Sequence, residues 1–237
     1  MALNDRQANI LRAVVEEYIR TAEPVASKMI ADTHLPSVSP ATVRNDLMAL
    51  TEALFLLQPH TSAGRVPTEA AYRYYLDHFM KVERADRIAA ELKMAVGQAS
   101  TSEEVLRAVS RALSAMSGET AFVASDNHAT QYTGLSNLMR KPEFEVAGHR
   151  EEIADAIDRV DNAVDDLLKL AQEDVRVWLG SESPISAEMA TVVVRVRLPD
   201  GSVGLLGLLG PLRMKYGRNI GLLQEVKKML DSNFEEV

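Results

Sequence analysis

The chain of 237 residues contains no cysteine. That excludes a disulfide framework, a cysteine nucleophile, thiolate-bound zinc and iron–sulfur clusters. It also lacks any apolar run near the roughly 18 residues that a membrane-spanning helix needs. The opening MALNDRQANI has neither the basic nor the apolar region of a signal peptide. A cytoplasmic location is therefore expected. The five histidines, at 34, 60, 78, 128 and 149, include no pair three or four residues apart. A metal site built on helical spacing is not expected. No glycine–lysine–serine phosphate loop is present. Gly204, Gly207 and Gly210 recur at every third place, which is not the dinucleotide fingerprint. In a strand such glycines mark bulges or close backbone approach. Thr133-Gly134-Leu135-Ser136-Asn137 is similar to a nucleophile elbow but lacks its second glycine, so a turn or capping serine is the simpler reading. The carboxylates between Glu151 and Asp166 surround a helix whose other face is apolar, which reads as a solvated face. The pattern points to no enzyme and no cofactor.

Apolar residues make 46% of the chain and charged residues 25%, as in soluble globular proteins. The net charge is −8, which at first argues against nucleic acid. The charge is unevenly placed. Residues 1–81 hold eight Lys/Arg against nine Asp/Glu, a net of −1, and the remainder carries −7. Such asymmetry supports two functional units.

The first unit reads as helices followed by a hairpin. Leu11, Val14, Val15, Tyr18 and Ile19 follow the amphipathic template, with Asn4 or Asp5 as cap. Glu23-Pro24 is expected to break this helix, and Pro24 to open a second one through about Asp32, burying Val25, Met29 and Ile30. His34–Val38 is a loop. Ser39-Pro40 is a strong helix start, with Ser39 as N-cap and Pro40 at the first helical position. Val43, Leu47, Leu50 and Leu54 then form one buried stripe. FLLQPHTSAGRVP is a small hairpin around Pro59 and Gly64, and Thr68 to about Met80 is helical.

Residues 81–100 read as a charged helix running into a loop at Gly97–Ser102. Leu106, Val109, Leu113 and Met116 give another helix. Ala121–Ser125 is a strand and Asp126–Tyr132 a polar loop. Ile153 to Leu168 is the clearest helical repeat. Val175–Leu179 is a short strand. Thr191–Leu198 and Val203–Leu209 pair through a turn at Pro199-Asp200-Gly201, with one solvated face expected from Arg195 and Arg197. A helix at Asn219–Leu230 follows. The second unit is thus α+β with a mostly antiparallel sheet.

Three short helices and a hairpin make a winged helix-turn-helix. In its third helix, Ala41, Arg44, Asn45 and Met48 lie opposite the buried stripe, with Thr42 beside the first turn. Arginine can pair with guanine, asparagine with adenine, and threonine with a methyl or phosphate. Ser39 to Met48 would enter the major groove, and the wing residues His60, Thr61, Ser62, Gly64 and Arg65 suit phosphates or a minor groove. Ser27 and Lys28, on the second helix, would contact phosphates. A small helical bundle whose exposed Arg and Asn merely confer solubility fits the same pattern.

Four runs carry a resemblance. They are Glu16–Ile19, Glu23–Lys28, Val38–Leu47 and Gln58–Thr68, the last reading QPHTSAGRVPT. With Gly134–Met139, Pro142–Phe144 and Leu208–Tyr216, they closely resemble the bacterial heat-inducible transcription repressor family HrcA. The resemblance is dense over residues 5–80 and looser over 121–230. It implies a winged helix-turn-helix domain at 1–81, a helical linker at 82–102 and a GAF-like α+β domain at 103–237. It further implies repression of chaperone operons, a double-stranded operator with an inverted repeat, a homodimer on the nucleoid, and a GroEL-type chaperonin that favours the active repressor. A ligand-sensing regulator of another regulon is the alternative. Family members are longer, through a stretch that in this chain would fall between Ala121–Ser125 and Gly134. That stretch carries an inserted dimerisation domain, so dimerisation would use the helix at 81–95, the helix at 151–171 or the hairpin face.

Overall fold

Asn4 sets the start of the first helix. Its side chain accepts the Gln7 N–H at 2.9 Å, and Gln7 Oε1 accepts the Asn4 N–H at 3.3 Å, a capping box. The computed structural model describes residues 3–85, 90, 92, 94, 101–125, 128–144, 149–162, 164–171, 174–198 and 200–233. The chain divides into two units, Met1–Met80 and Lys81–Val237.

In the first unit, helix α1 (Asp5–Thr21) buries Ile10, Leu11, Ala13, Val14 and Val15. It stops at Ala22, in the left-handed region with φ of 58°, before the expected break at Glu23-Pro24. Helix α2 (Ser27–Thr33) likewise does not start at Pro24. The reason is a backbone bridge. Val25 N–H donates to the Arg65 carbonyl and Arg65 N–H to the Val25 carbonyl, each at 2.9 Å, which holds residue 25 extended. Glu17 joins the two helices by accepting from His34 Nε2 at 3.0 Å. His34 and then Arg20 hold its carboxyl below the usual range.

Helix α3 (Pro40–Glu52) starts as the sequence indicates. Ser39 Oγ accepts the Thr42 N–H at 3.1 Å and Pro40 occupies the first turn. Val43, Leu47 and Leu50 are buried, but Leu54 is 75% exposed. The expected stripe ends early because the helix closes in a Schellman motif. Phe55 N–H donates to Leu50 O and Leu54 N–H to Thr51 O, with Leu54 at φ 62°. The hairpin follows, β1 (Leu56–Leu57) pairing antiparallel with β2 (Val66–Pro67). Helix α4 (Glu69–His78) begins after Thr68, whose hydroxyl donates to Leu54 O and Phe55 O.

The linker expected at 82–102 lies mostly outside the described residues. Residues 82–85 are not helical. Glu83 N–H donates to the Gly217 carbonyl at 3.0 Å, and a Cβ on Gly217 or Gly221 would meet the Lys81 or Glu83 carbonyl oxygen. These residues therefore lie against the final helix within the second unit. Of the loop expected at Gly97–Ser102 only the last two residues are described, and there helix α5 (Ser102–Ser117) begins with Thr101 as cap.

The second unit is built on an antiparallel sheet in the order β4-β3-β7-β6-β5. Its strands are β3 (Thr120–Ser125), β4 (His128–Thr133), β5 (Arg176–Leu179), β6 (Met189–Arg197) and β7 (Val203–Pro211). Strand β4 corrects the polar loop expected at Asp126–Tyr132. An edge strand has only one neighbour, so polar residues carry little penalty there. Tyr132 supplies the buried contribution: its ring lies 6.3 Å from that of Phe122, and its hydroxyl donates to Asp161 Oδ1 at 2.9 Å.

The hairpin β6–β7 pairs from Met189↔Pro211 to Arg197↔Val203. Its expected solvated face is also corrected, since Met189–Val194 and Val196 are all buried. On one face Phe122, Trp178, Val193, Leu205 and Leu209 pack with Ile153, Ala156 and Val160 of α7 (His149–Asn162) and Leu167 of α8 (Val164–Leu170). Helix α9 (Tyr216–Asn233) packs on β6 and β7, and α5 packs on β3. Arg195 and Arg197 suggested solvent only because they stand at the end of the strand, half-buried and exposed respectively. Gly207 is required by close approach, because a Cβ there would lie 2.2 Å from the Phe122 ring.

The short helix α6 (Leu135–Met139) starts at Gly134, with φ of 83°, and answers the elbow-like motif. Ser136 is exposed, while Asn137 Nδ2 donates to Ser114 Oγ at 3.0 Å. Nearby, Lys141 Nζ lies 3.1 Å from the buried Glu119 carboxylate, and Arg213 pairs with Glu143. Burial first of all pushes the Glu119 carboxyl up to about 7, against the pull of Lys141.

Candidate nucleic-acid interface

The periodicity of α3 separates two faces. Val43, Leu47 and Leu50 are buried, and Ala41, Arg44, Asn45 and Met48 are exposed at steps of three and four along one side. Asp46, between them, is not solvated. It accepts from Arg6 Nε at 2.7 Å and Arg6 Nη2 at 3.2 Å, so a two-pronged ion pair fixes α3 to α1. Nothing in local periodicity marks Asp46 for this. It sits 40 positions from its partner.

The wing is held from three sides. Gln58 Nε2 donates to the Thr61 and Ala63 carbonyls, both at 2.9 Å, which closes the tip. Arg65 Nε donates to Thr51 Oγ1 at 2.9 Å, and the Arg65 backbone pairs with Val25. A Cβ at Gly64 would stand 2.5 Å from the Val25 carbonyl, so only glycine lets the wing come so near. Sequence reading missed Gln58 and Thr51. Their partners are fixed by the hairpin's path, and no spacing rule exposes that.

Between α3, the start of α2 and the wing lies an open groove of about 350 Å³. Of the expected contact residues, it brings together Ser27, Arg44, Met48, Thr61, Ser62, Gly64 and Arg65. Lys28, Ser39, Ala41, Asn45 and His60 are exposed but do not line it, and Thr42 is half-buried with its hydroxyl 2.9 Å from Ser39 Oγ. His60 Nδ1 lies 3.1 Å from Ser62 Oγ.

The charges of this unit are sorted. Arg6, Arg12 and Arg20 pair with Asp46, Glu16 and Glu17. Lys28, Arg44 and Arg65 make no ion pair among the described residues. A unit with a net charge near zero can thus offer positive charge along one face.

Two family descriptions match this chain. Residues 2–79 match the winged helix-turn-helix transcription repressor, HrcA DNA-binding, and residues 68–220 match the HrcA protein C terminal domain. The chain belongs to the HrcA family. This is a family of transcription repressors, not of enzymes. A heat-inducible transcription repressor HrcA from Thermobifida fusca is 52% identical over 92 residues, covering 38% of this chain and 27% of the relative. The HrcA of Pelotomaculum thermopropionicum is 42% identical over 127 residues, 53% of this chain and 36% of the relative. The chain therefore spans well under half the length of these HrcA relatives. The HrcA of Halalkalibacterium halodurans is 24% identical over 336 positions, reaching 96% of each chain. Since the chain has 237 residues, at least 99 positions of that alignment have no counterpart in it. A crystal structure of a hypothetical protein shares the fold, with a TM-score of 0.78 at 19% identity, covering 98% of this chain and 99% of that one. No helix among the described residues is long and apolar enough to cross a membrane.

Proposed function

We propose that this HrcA-family chain represses transcription by binding double-stranded DNA at an inverted-repeat operator. Helix α3 enters the major groove with Ala41, Arg44, Asn45 and Met48 toward base edges, and Ser39 and Thr42 at the entry. His60, Thr61 and Ser62 of the wing follow the backbone or minor groove, and Ser27 and Lys28 meet phosphates. The observation that carries this reading is the sorting of charge: in the first unit Arg6, Arg12 and Arg20 are paired with acids, whereas Lys28 and Arg44, both in this set of contact residues, make no ion pair. A helical bundle with merely soluble arginines gives no reason for that bias.

The relatives' name, heat-inducible transcription repressor, supports extending the reading to chaperone operons. On this reading the protein works in the cytoplasm on the nucleoid as a homodimer, because a two-fold operator matches two copies. The second unit supplies the dimer contact and the response to a GroEL-type chaperonin. The test is a gel shift with an inverted-repeat duplex over a salt series, alongside light scattering. Preference for the operator over random duplex, with a dimer on DNA, is the expected outcome. Equal affinity for both duplexes, or a monomer that stays monomeric on the operator, would overturn it.

A further inference from the structure

By composition, Arg65 is a wing cation waiting for a phosphate. Its geometry gives it other work. Its Nε donates to Thr51 Oγ1 at 2.9 Å, and that hydroxyl in turn donates to the Leu47 carbonyl at 2.7 Å. Thr51 stands in the last turn of α3, so the guanidinium is tied to the end of the helix whose other end opens at Ser39. The backbone of Arg65 faces a different element, exchanging two hydrogen bonds of 2.9 Å with Val25 just before α2. One residue therefore fastens the wing to α3 through its side chain and to the α1–α2 connection through its main chain. Gly64 permits this contact, because the obstacle to a Cβ there is the Val25 backbone, which cannot swing aside as a side chain could. Burial agrees. Arg44 and Lys28 are exposed, and Arg65 is half-buried at the wall of the groove.

We infer that Arg65 is a positioning residue that locks the wing to the C-terminal turn of α3 and so sets the opening of the groove. The inference rests on the DNA-binding reading above. A planar guanidinium held at Nε has its orientation fixed by Thr51. A phosphate ligand would leave Thr51 dispensable. A positioning residue makes Thr51 and Arg65 one unit.

The experiment uses the full chain and has two arms. In the first, operator binding over a salt series is measured for Arg65→Gln, Thr51→Val, Thr51→Ser and the double variant Thr51→Val/Arg65→Gln. A lock predicts that Arg65→Gln and Thr51→Val weaken binding by a similar factor, about tenfold. The double variant should be no weaker than either, since the two residues share one interaction. The salt slope should stay that of the wild type, and Thr51→Ser should restore binding. A salt slope reduced by about one in Arg65→Gln, with Thr51→Val unaffected, marks a phosphate contact and overturns the inference. The second arm needs no DNA. Exchange of the Val25 and Arg65 amide hydrogens should speed up in Arg65→Gln and Thr51→Val, while that of Val14 in the α1 core stays slow. Unchanged exchange at Val25 and Arg65 in both variants overturns the lock. If the wild type does not distinguish operator from random duplex, the DNA-binding reading fails while the exchange arm still decides the lock.

Discussion

The two units place their ionisable groups differently. In the first, acids consume cations in pairs such as Arg6–Asp46 and Arg12–Glu16, and a few positive groups are left to solvent. The second also has exposed pairs, Arg107–Glu103 and Lys169–Asp166, but it draws others inward: the Glu119 carboxylate is 5% exposed beside Lys141, and Arg213 meets Glu143. Both units use ion pairs to hold segments together, but the first also leaves Lys28 and Arg44 exposed and without an ion pair, available to a partner. A chain-wide charge of −8 averages over both and describes neither.

The comparison is tested hardest in the cores beneath these surfaces. Leu50, on the inner side of α3, is 1% exposed. Its replacement by alanine should cost roughly 2–5 kcal/mol in urea unfolding. Ala41→Ser, on the outer side of the same helix, should stay within about 0.5 kcal/mol. Equal losses at the two sites would mean that α3 does not present two distinct faces.

The second unit's inward charge has a pH signature. The Glu119 carboxyl is raised from 4.5 to about 7, chiefly by burial. The folded state therefore holds this proton more tightly than the unfolded state. The contribution is fully present below pH 4.5 and is lost as pH rises through about 7. Over that window wild type should lose about 3 kcal/mol relative to Glu119→Gln, which keeps the neutral form. Parallel stability curves for the two proteins would remove Glu119 as the cause. In the first unit Glu17 is shifted the other way, by His34 and then Arg20.

The units also differ in how openly the sequence announces them. The Ser39-Pro40 start and the Ala41, Arg44, Asn45, Met48 face were legible because cap, proline and period are local signals. Leu54 was misplaced because its side chain sits just past a Schellman closure, where the helical period no longer applies. Pro24 misled for a long-range reason, the bridge from Val25 to Arg65. In the second unit β4 was hidden, since its polar residues suit an edge strand as well as a loop. The paired arginines of β6 suggested solvent although helices cover both faces. Gln58, Thr51 and Asp46 escaped notice because each partner is set by the folded path of the chain.

Direct readout is the next smaller effect. Arg44→Ala or Asn45→Ala should cost roughly 1–3 kcal/mol on the operator and relax specificity at one base position. Lys28→Ala should weaken operator and random duplex alike and lower the salt slope by about one. A uniform loss from Arg44→Ala would move that residue from base reader to phosphate contact. Lys28 and Arg44 would then both serve the backbone.

The smallest effect separates two roles that meet in Ser39. It lies at the entry of the proposed recognition helix, yet its Oγ already accepts the Thr42 N–H at 3.1 Å. Removing the hydroxyl in Ser39→Ala should lower stability by about 1 kcal/mol, the usual worth of such a cap. Ser39→Asp keeps an accepting oxygen and adds negative charge at the positive end of the helix, so stability should hold or rise slightly. On DNA the order reverses, because that carboxylate would face phosphates. Ser39→Asp should then bind less tightly than Ser39→Ala although it is the more stable protein. If stability and affinity instead fall together across the two variants, Ser39 acts on DNA only through the helix it caps.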